Sequence, residues 1–344
     1  MTIAFETGAA QDLNSVRGIG SYTQNLQKAL TKYKQELGID FVKKGFNSSS
    51  YDLVHYPYFD LFFHTLPLKS KTKRIVTIHD VIPLIFPDKF PAGIKGRVNL
   101  LLQKLALKNV DFVICDSQTS KGDVVKKLQV PPQKVKVVYL AAGEQFRKIT
   151  NNVELQAVRQ KYQLPDKFAL YVGDVNWNKN LKGLLESVAI SKVPLVMVGS
   201  ALANKQLPQV KELDRLSQQL GIGDLVIKTG FVPQKDLAAI YNLSEVVVVP
   251  SFYEGFGLPV LEGMACGIPV ICSQNSSLTE IGGSVAIFCD PARPADIAAK
   301  IKSTISLTAT ERSNLAAKCK AHSKKFSWEK TAQQTIDIYQ EVLK

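Results

Sequence analysis

Short β-branched and aliphatic runs alternate with segments of helical period along the 344 residues of this chain. The plainest run is Val246-Val247-Val248-Val249, which reads as a strand buried on both faces of a parallel sheet. Further strands are expected at Thr2–Glu6, Leu53–Tyr56, Arg74–Ile78, Phe112–Cys115 and Val135–Val138. A second series begins at Phe168-Ala169-Leu170-Tyr171-Val172-Gly173 and continues through Leu195–Val198, Leu225–Lys228, Val270–Cys272 and Ala286–Phe288. Helical segments lie between them, notably Ser21–Tyr33, Lys95–Lys108 and Ser117–Leu128, with Ser117 placed as an N-cap. In Lys95–Lys108, the i, i+3, i+4 spacing of Val98, Leu101, Leu102 and Leu105 predicts a core-facing stripe. Arg97, Lys104 and Lys108 fall on a neighbouring face, with Leu100 and Leu107 alongside. The alternation predicts an α/β protein with parallel sheets of βαβ units. The tail from Phe326 is an amphipathic helix capped by Ser327.

Length changes this picture from one sheet to two, since 344 residues exceed a single ordinary core. The expected division is a first Rossmann-like domain over 1–148, a connector over 149–165, a second domain over 166–326 and the final helix over 327–344. No run approaches the ~20 apolar residues of a membrane span. The start, Met1-Thr2-Ile3-Ala4-Phe5, lacks a basic segment and apolar stretch of the secretory kind. Cys115, Cys266, Cys272, Cys289 and Cys319 make an odd number without a C-x-x-C pair, which fits a reducing cytoplasm. Four scattered histidines form no metal-ligand spacing.

The net charge of +13 is uneven: residues 1–150 hold 22 Lys/Arg against 12 Asp/Glu. Such a half attracts an anionic leaflet, a phosphate-bearing acceptor or nucleic acid, or serves solubility alone. No zinc-finger spacing, RNP-like aromatic motif or basic zipper accompanies the charge, which argues against nucleic acid. Lys121, Lys126 and Lys127 on the following helix extend the basic face of Lys95–Lys108 toward an anionic lipid surface.

The chemistry concentrates after the Val246–Val249 run, in Pro250-Ser251-Phe252-Tyr253-Glu254-Gly255-Phe256-Gly257-Leu258-Pro259-Val260-Leu261-Glu262. Glu254 falls in the loop beyond the strand's carboxyl end, where open α/β sheets bind ligands. Gly255 and Gly257 permit close backbone approach, Pro259 suits a first helical turn, and Glu262 follows on that helix. Gly18-Ile19-Gly20 opens a helix after the first strand and can present amides to a diphosphate. His79 ends the strand Arg74–Ile78, and His55 also sits at a strand end, in a structural or an acceptor-side role.

This frame, with Met264-Ala265-Cys266-Gly267-Ile268-Pro269 behind it, resembles the E-x₇-E signature of retaining family 4 glycosyltransferases of the GT-B fold. Thr77-Ile78-His79-Asp80-Val81-Ile82-Pro83 is similar to that family's HD-x-x-P segment. Tyr171 to Leu181 is similar to its first donor-domain strand and Lys loop, and Gly230-Phe231-Val232-Pro233 to its nucleotide-edging segment. The resemblance implies two doubly wound domains facing a cleft, the last helix crossing back to the first. It implies that His79 contacts the transferred sugar, Lys179 neutralises the departing diphosphate, and Glu254 with the Gly255 and Phe256 amides grips sugar hydroxyls. Glu262 would hold the ribose, with Gly18, Gly20, Gly173, Gly230, Phe231, Gly257 and Leu258 around the donor. Where the family often has a further Arg, this chain has Asp174 and Asn178, so Arg17 or backbone amides must take part of the diphosphate charge. Tyr241 is expected in the core. No cofactor and no metal are implied: the donor is a co-substrate, GDP-mannose or a UDP-hexose, and the acceptor a glycan or lipid-linked saccharide at the cytoplasmic face of a membrane. Two other classes keep the same fold, a non-catalytic sugar-nucleotide-binding scaffold and a GT-B sugar-nucleotide epimerase.

Overall fold

The computed structural model describes residues 2–8 and 18–344, so Arg17 lies outside the described residues. Short, wholly buried central strands, such as Leu53–Tyr56 and Val246–Val249, organise each half. The chain up to Ala141, joined by Phe326–Lys344, forms one compact unit, and Ala142–Lys325 forms another.

The first unit holds β1 (Ile3–Glu6), β2 (Ile39–Val42), β3 (Leu53–Tyr56), β4 (Lys73–Thr77), β5 (Phe112–Cys115) and β6 (Val135–Val137). They form one parallel sheet in the order β2-β1-β3-β4-β5-β6. The second unit holds β7 (Ala169–Val172), β8 (Leu195–Val198), β9 (Val226–Gly230), β10 (Val246–Val249), β11 (Val270–Ser273) and β12 (Ile287–Cys289). Their order, β12-β11-β10-β7-β8-β9, is again parallel throughout. From β7 the chain winds outward through β8 to β9, then restarts on the other flank with β10. The winding direction reverses between β7 and β10, and the crevice beyond their carboxyl ends is where such sheets take ligands.

Two sequence expectations change. β2 was not expected, because only Ile39 of its four residues is buried and it lies at the sheet edge, so its pattern is faint. The helix Gly93–Leu107 turns the other way from its expected core face. Its buried row is Gly96, Gln103, Ala106 and Leu107, while Val98, Leu101 and Leu105 are exposed. The cause is the segment that packs on it. Gly96 lets Phe62 close in, and the Gln103 amide donates to the Asp60 carbonyl at 2.7 Å while accepting the Leu66 N–H at 3.2 Å. A polar loop needing hydrogen bonds selects the face that can supply them.

The final helix, Trp328–Leu343, is capped by the Ser327 side chain, which accepts the Lys330 N–H at 3.2 Å. It packs on the helix Gly18–Leu30, with the Trp328 and Tyr22 rings 6.2 Å apart. Its Tyr339 hydroxyl hydrogen-bonds His55 Nδ1 at 2.7 Å, and His55 Nε2 meets Thr77 Oγ1 at 2.8 Å. Burial pushes the His55 ring down to about 3, so it stays neutral. That settles the open reading of His55 as a structural tie between β3 and the last helix. Ser117 caps its helix as expected, accepting the Ser120 N–H at 2.9 Å.

Candidate functional site

In the second unit, the loops after β7 and β10 are stitched into one structure. The first carries Trp177–Lys179 as a single 3₁₀ turn, followed by Asn180 with φ 53°. The Asn180 side chain caps the helix Leu181–Ser191 and donates to the Pro250 and Pro291 carbonyls at 3.0 and 2.7 Å. Asn178 donates from Nδ2 to the Tyr253 carbonyl at 2.9 Å and accepts the Phe252 N–H on its own carbonyl at 2.7 Å. Trp177 stacks on Phe252 with centroids 5.0 Å apart. An Arg in place of Asn178 could not make the same buried stitch, so the departure from the family pattern has a local structural use.

Lys179 and Glu254 meet at the β7/β10 reversal. Lys179 Nζ donates to both Glu254 carboxylate oxygens, at 2.7 and 2.9 Å. Ser251 Oγ donates to the same carboxylate at 2.6 Å, and the Glu254 N–H donates to Ser276 Oγ at 3.1 Å. Ser277 Oγ bonds the Glu254 and Phe256 carbonyls, both at 2.9 Å. Gly257 has φ 104°, and a Cβ there would come within 2.7 Å of Leu278, so the turn into the helix Leu258–Ala265 requires glycine. This arrangement supplies one ammonium and one carboxylate in a partly buried crevice, each fixed by neighbours from a different loop.

Glu262 sits on the following helix and accepts a 2.6 Å hydrogen bond from the Tyr241 hydroxyl. Burial pushes the Glu262 carboxyl up to about 7, although the phenol bond pulls the other way. Tyr241 is fully buried, as expected, with Phe146 edge-on to it at 5.4 Å. Gly173 directly follows β7 and Gly230 ends β9, and the two flank Gly199, whose N–H donates to the Gly230 carbonyl at 3.1 Å. A side chain on Gly199 would collide with the Gly173 carbonyl, so the three backbones pack without side chains at these strand ends. Phe231 is 56% exposed beside them.

In the first unit, His79 lies beyond β4 with Nδ1 2.6 Å from Asp116 Oδ2 and Nε2 3.2 Å from the Pro57 carbonyl. The Tyr22 ring packs edge-on at 4.7 Å. Burial lowers the His79 pKa, but the Asp116 carboxylate outweighs it and the net shift is upward. Burial likewise raises Asp116, which His79 partly offsets. Asp116 Oδ1 is buried with no hydrogen-bond partner among the described residues. Gly18 opens its helix exposed, and Gly20 is buried.

Sequence reasoning missed Asp116, Ser251 and Gly199. Asp116 follows the carboxyl end of β5 directly, so the strand-end rule that drew attention to His79 applies to it equally. Among the described residues no group of three or more His, Cys, Asp or Glu could hold a metal ion, and no helix is long and apolar enough to cross a membrane. All five cysteines are buried and free.

Comparison with known proteins matches residues 154–326 to the glycosyl transferases group 1 and residues 38–141 to Glycosyltransferase Family 4. The O-antigen chain mannosyltransferase B of Escherichia coli is 31% identical over 277 residues, covering 78% of this chain and 70% of that protein. The serotype-specific mannosyltransferase WbdA of Escherichia coli is 32% identical over 79% of this chain, which is 34% of its own length. Anabaena Alr3699/HepE, in a crystal structure in complex with UDP and glucose, is 19% identical with a TM-score of 0.76, over 99% of this chain and 100% of that one.

Proposed function

We infer the reaction from the family: this chain belongs to the glycosyl transferases group 1, glycosyltransferase family 4, and has the GT-B fold of two Rossmann-like units. It is a glycosyltransferase that moves a sugar from a nucleotide sugar to an acceptor. We propose that the sugar is a hexose, mannose first, from GDP-mannose, and that the acceptor is a glycan or lipid-linked saccharide of a surface polysaccharide. The two relatives above are mannosyltransferases by name, which supports the choice of sugar.

The observation that carries the mechanism is the Lys179–Glu254 pair at the β7/β10 reversal. As the glycosidic bond breaks, the nucleoside diphosphate gains charge, and an ammonium held there stabilises it. Lys179 exchanges its Glu254 contact for the diphosphate, and the released carboxylate accepts hydrogen bonds from sugar hydroxyls. Glu262, ionised, accepts from the ribose hydroxyls. His79, oriented by Asp116, is assigned the contact with the transferred sugar that the family resemblance implies. The C1–O bond to phosphate breaks while the acceptor oxygen bonds C1 on the same face, and the acceptor proton passes to the departing phosphate oxygen. Configuration is retained without a covalent intermediate. Lys179 takes the charge-neutralising role that a divalent cation plays elsewhere, so the transfer is metal-independent.

Purified protein incubated with GDP-mannose, GDP-fucose, UDP-glucose and UDP-galactose, each with a mannoside acceptor, tests the reading. Release of GDP with a new glycoside only from GDP-mannose supports it. Turnover confined to a UDP-sugar moves the donor choice, and donor conversion without acceptor assigns an epimerase.

A further inference from the structure

The helix Gly93–Leu107 presents a row that the protein's own packing leaves bare. Ile94 is 86% exposed, Val98 54%, Leu101 60% and Leu105 44%. At 3.6 residues per turn these four lie within an arc of about 60°, opposite the buried Gly96, Gln103 and Ala106. The remaining exposed large hydrophobics of this unit, among the described residues, are Phe63 and Leu68. Both belong to the segment tied along the same helix, by Asn99 Nδ2 to the Phe62 carbonyl at 2.7 Å and Asn109 Nδ2 to the Leu68 carbonyl at 3.1 Å. The exposed apolar side chains of the first unit thus collect on one helix and its neighbouring loop. Scattered single residues are ordinary on a surface, and a contiguous row is not.

Charge indicates what covers the row. Lys95 flanks it on one side and Arg97, Lys104 and Lys108 on the other, and residues 89–110 contain no Asp or Glu. A second copy laid on this face would bring cations against cations. A surface of phosphate headgroups over acyl chains satisfies both features, because the long cationic stems lie along apolar side chains and reach outward to phosphate.

We propose that the helix Gly93–Leu107 is a membrane-docking element that lies in the interface of an anionic bilayer. Ile94, Val98, Leu101 and Leu105 enter the acyl boundary, and Lys95, Arg97, Lys104 and Lys108 contact the headgroups. The inference stands independently of the donor reading, since none of these residues belongs to the donor constellation. It also replaces the basic face suggested by the sequence, which had Leu100 and Leu107 alongside the cations and Val98, Leu101 and Leu105 toward the core; Leu107 is buried instead.

The test uses the full chain with vesicles of phosphatidylcholine alone and with rising phosphatidylglycerol. Binding by co-sedimentation should rise with phosphatidylglycerol and fall with salt. The double variant Val98→Asp/Leu101→Asp should weaken it roughly tenfold or more at every salt concentration. Arg97→Glu/Lys104→Glu should weaken it by about tenfold at low salt, with a smaller effect at high salt. A Leu101→Trp variant should shift its emission to the blue on vesicles and be quenched by brominated acyl chains. Unchanged melting temperature and GDP affinity in each variant exclude misfolding as the cause. Absence of vesicle binding, binding unaffected by the Asp pair, or an unmoved Trp emission overturns the proposal. So does concentration-dependent dimerisation in sedimentation velocity that the Asp pair abolishes, since the row would then belong to a second copy.

Discussion

Lys179 Nζ lies 2.7 and 2.9 Å from the two carboxylate oxygens of Glu254, although 75 residues separate them. The pair exists because the winding reversal sets the ends of β7 and β10 side by side, and Ser251 fixes the carboxylate from below. It keeps two partly buried charges neutralised in the free protein, and in the proposed reaction it opens when a diphosphate arrives. Breaking the pair by Glu254→Ala leaves Lys179 uncompensated, with an expected loss of roughly 3 kcal/mol in unfolding free energy. Lys179→Met should instead lower kcat/KM with the full donor while changing nucleoside affinity little. Denaturant unfolding and steady-state kinetics on the two variants check this. Equal stability and equal turnover in both would show that the pair is idle.

Burial of the Glu262 carboxyl, which outweighs its bond to Tyr241, should make nucleotide binding pH-dependent under the proposed reaction. A folded-state pKa of about 7, above the ordinary carboxyl value of 4.5, means the folded protein holds the extra proton between those limits. Stability from this group is therefore greatest below pH ~4.5 and declines by about 3 kcal/mol as pH rises through ~7. In the proposed role Glu262 accepts the ribose hydroxyls as an ionised carboxylate, so GDP affinity should increase over the upper part of the same range. Calorimetric titration across pH 7 should show the rise, and Glu262→Gln should flatten it. A rise that persists in Glu262→Gln would assign the titration to another group.

Asp116 Oδ2 lies 2.6 Å from His79 Nδ1, which makes Asp116 the positioning residue of the proposed role of His79. Its carboxylate is what raises the ring's pKa against burial, so Asp116→Asn should drop the His79 midpoint below the ordinary 6.5. In the parent, the stability this His contributes is complete below 6.5 and is lost as pH rises through its raised folded value. An NMR titration of the His79 ring in both proteins reads the shift directly, and kcat should fall with it. An unmoved midpoint would rule out Asp116 as the positioning residue.

The His55–Tyr339 bond ties the last helix to β3. Tyr339→Phe removes a buried donor or acceptor and leaves the other ring nitrogen bonded to Thr77, with an expected cost of about 1–3 kcal/mol. Hydrogen exchange should show faster opening of residues 328–343 than of β10. Protection unchanged along that helix would mean that its apolar packing alone holds it.

Much of the second unit was readable because its strands are short apolar runs, Val246–Val249 the plainest, and its loops carry glycines at positions that need them, Gly257 above all. What escaped detection depends on pairings far apart in sequence. Asp116 meets His79 across 37 residues, and nothing local to either announces the partner. The orientation of Gly93–Leu107 was misread because periodicity finds apolar rows but does not say which row the rest of the chain covers. There the buried face is Gly96, Gln103 and Ala106, a weaker apolar signal than the Val98, Leu101, Leu105 row it displaced. The departure at Asp174 and Asn178, the two places where the family's further Arg can stand, looked like the loss of one cation. In the structure Asn178 instead ties the Lys179 loop to Tyr253.

The account rests on metal-free, configuration-retaining transfer from GDP-mannose driven by Lys179 and Glu254. A proton NMR time course with GDP-mannose, a mannoside acceptor and excess EDTA tests this in one experiment. The account predicts that the first new anomeric signal is that of an α-mannoside, matching the α-configured donor. It should appear at the same rate with and without EDTA and far more slowly in Lys179→Met. A β-mannoside as first product, a complete loss of turnover in EDTA that added metal restores, or full activity in Lys179→Met would contradict it.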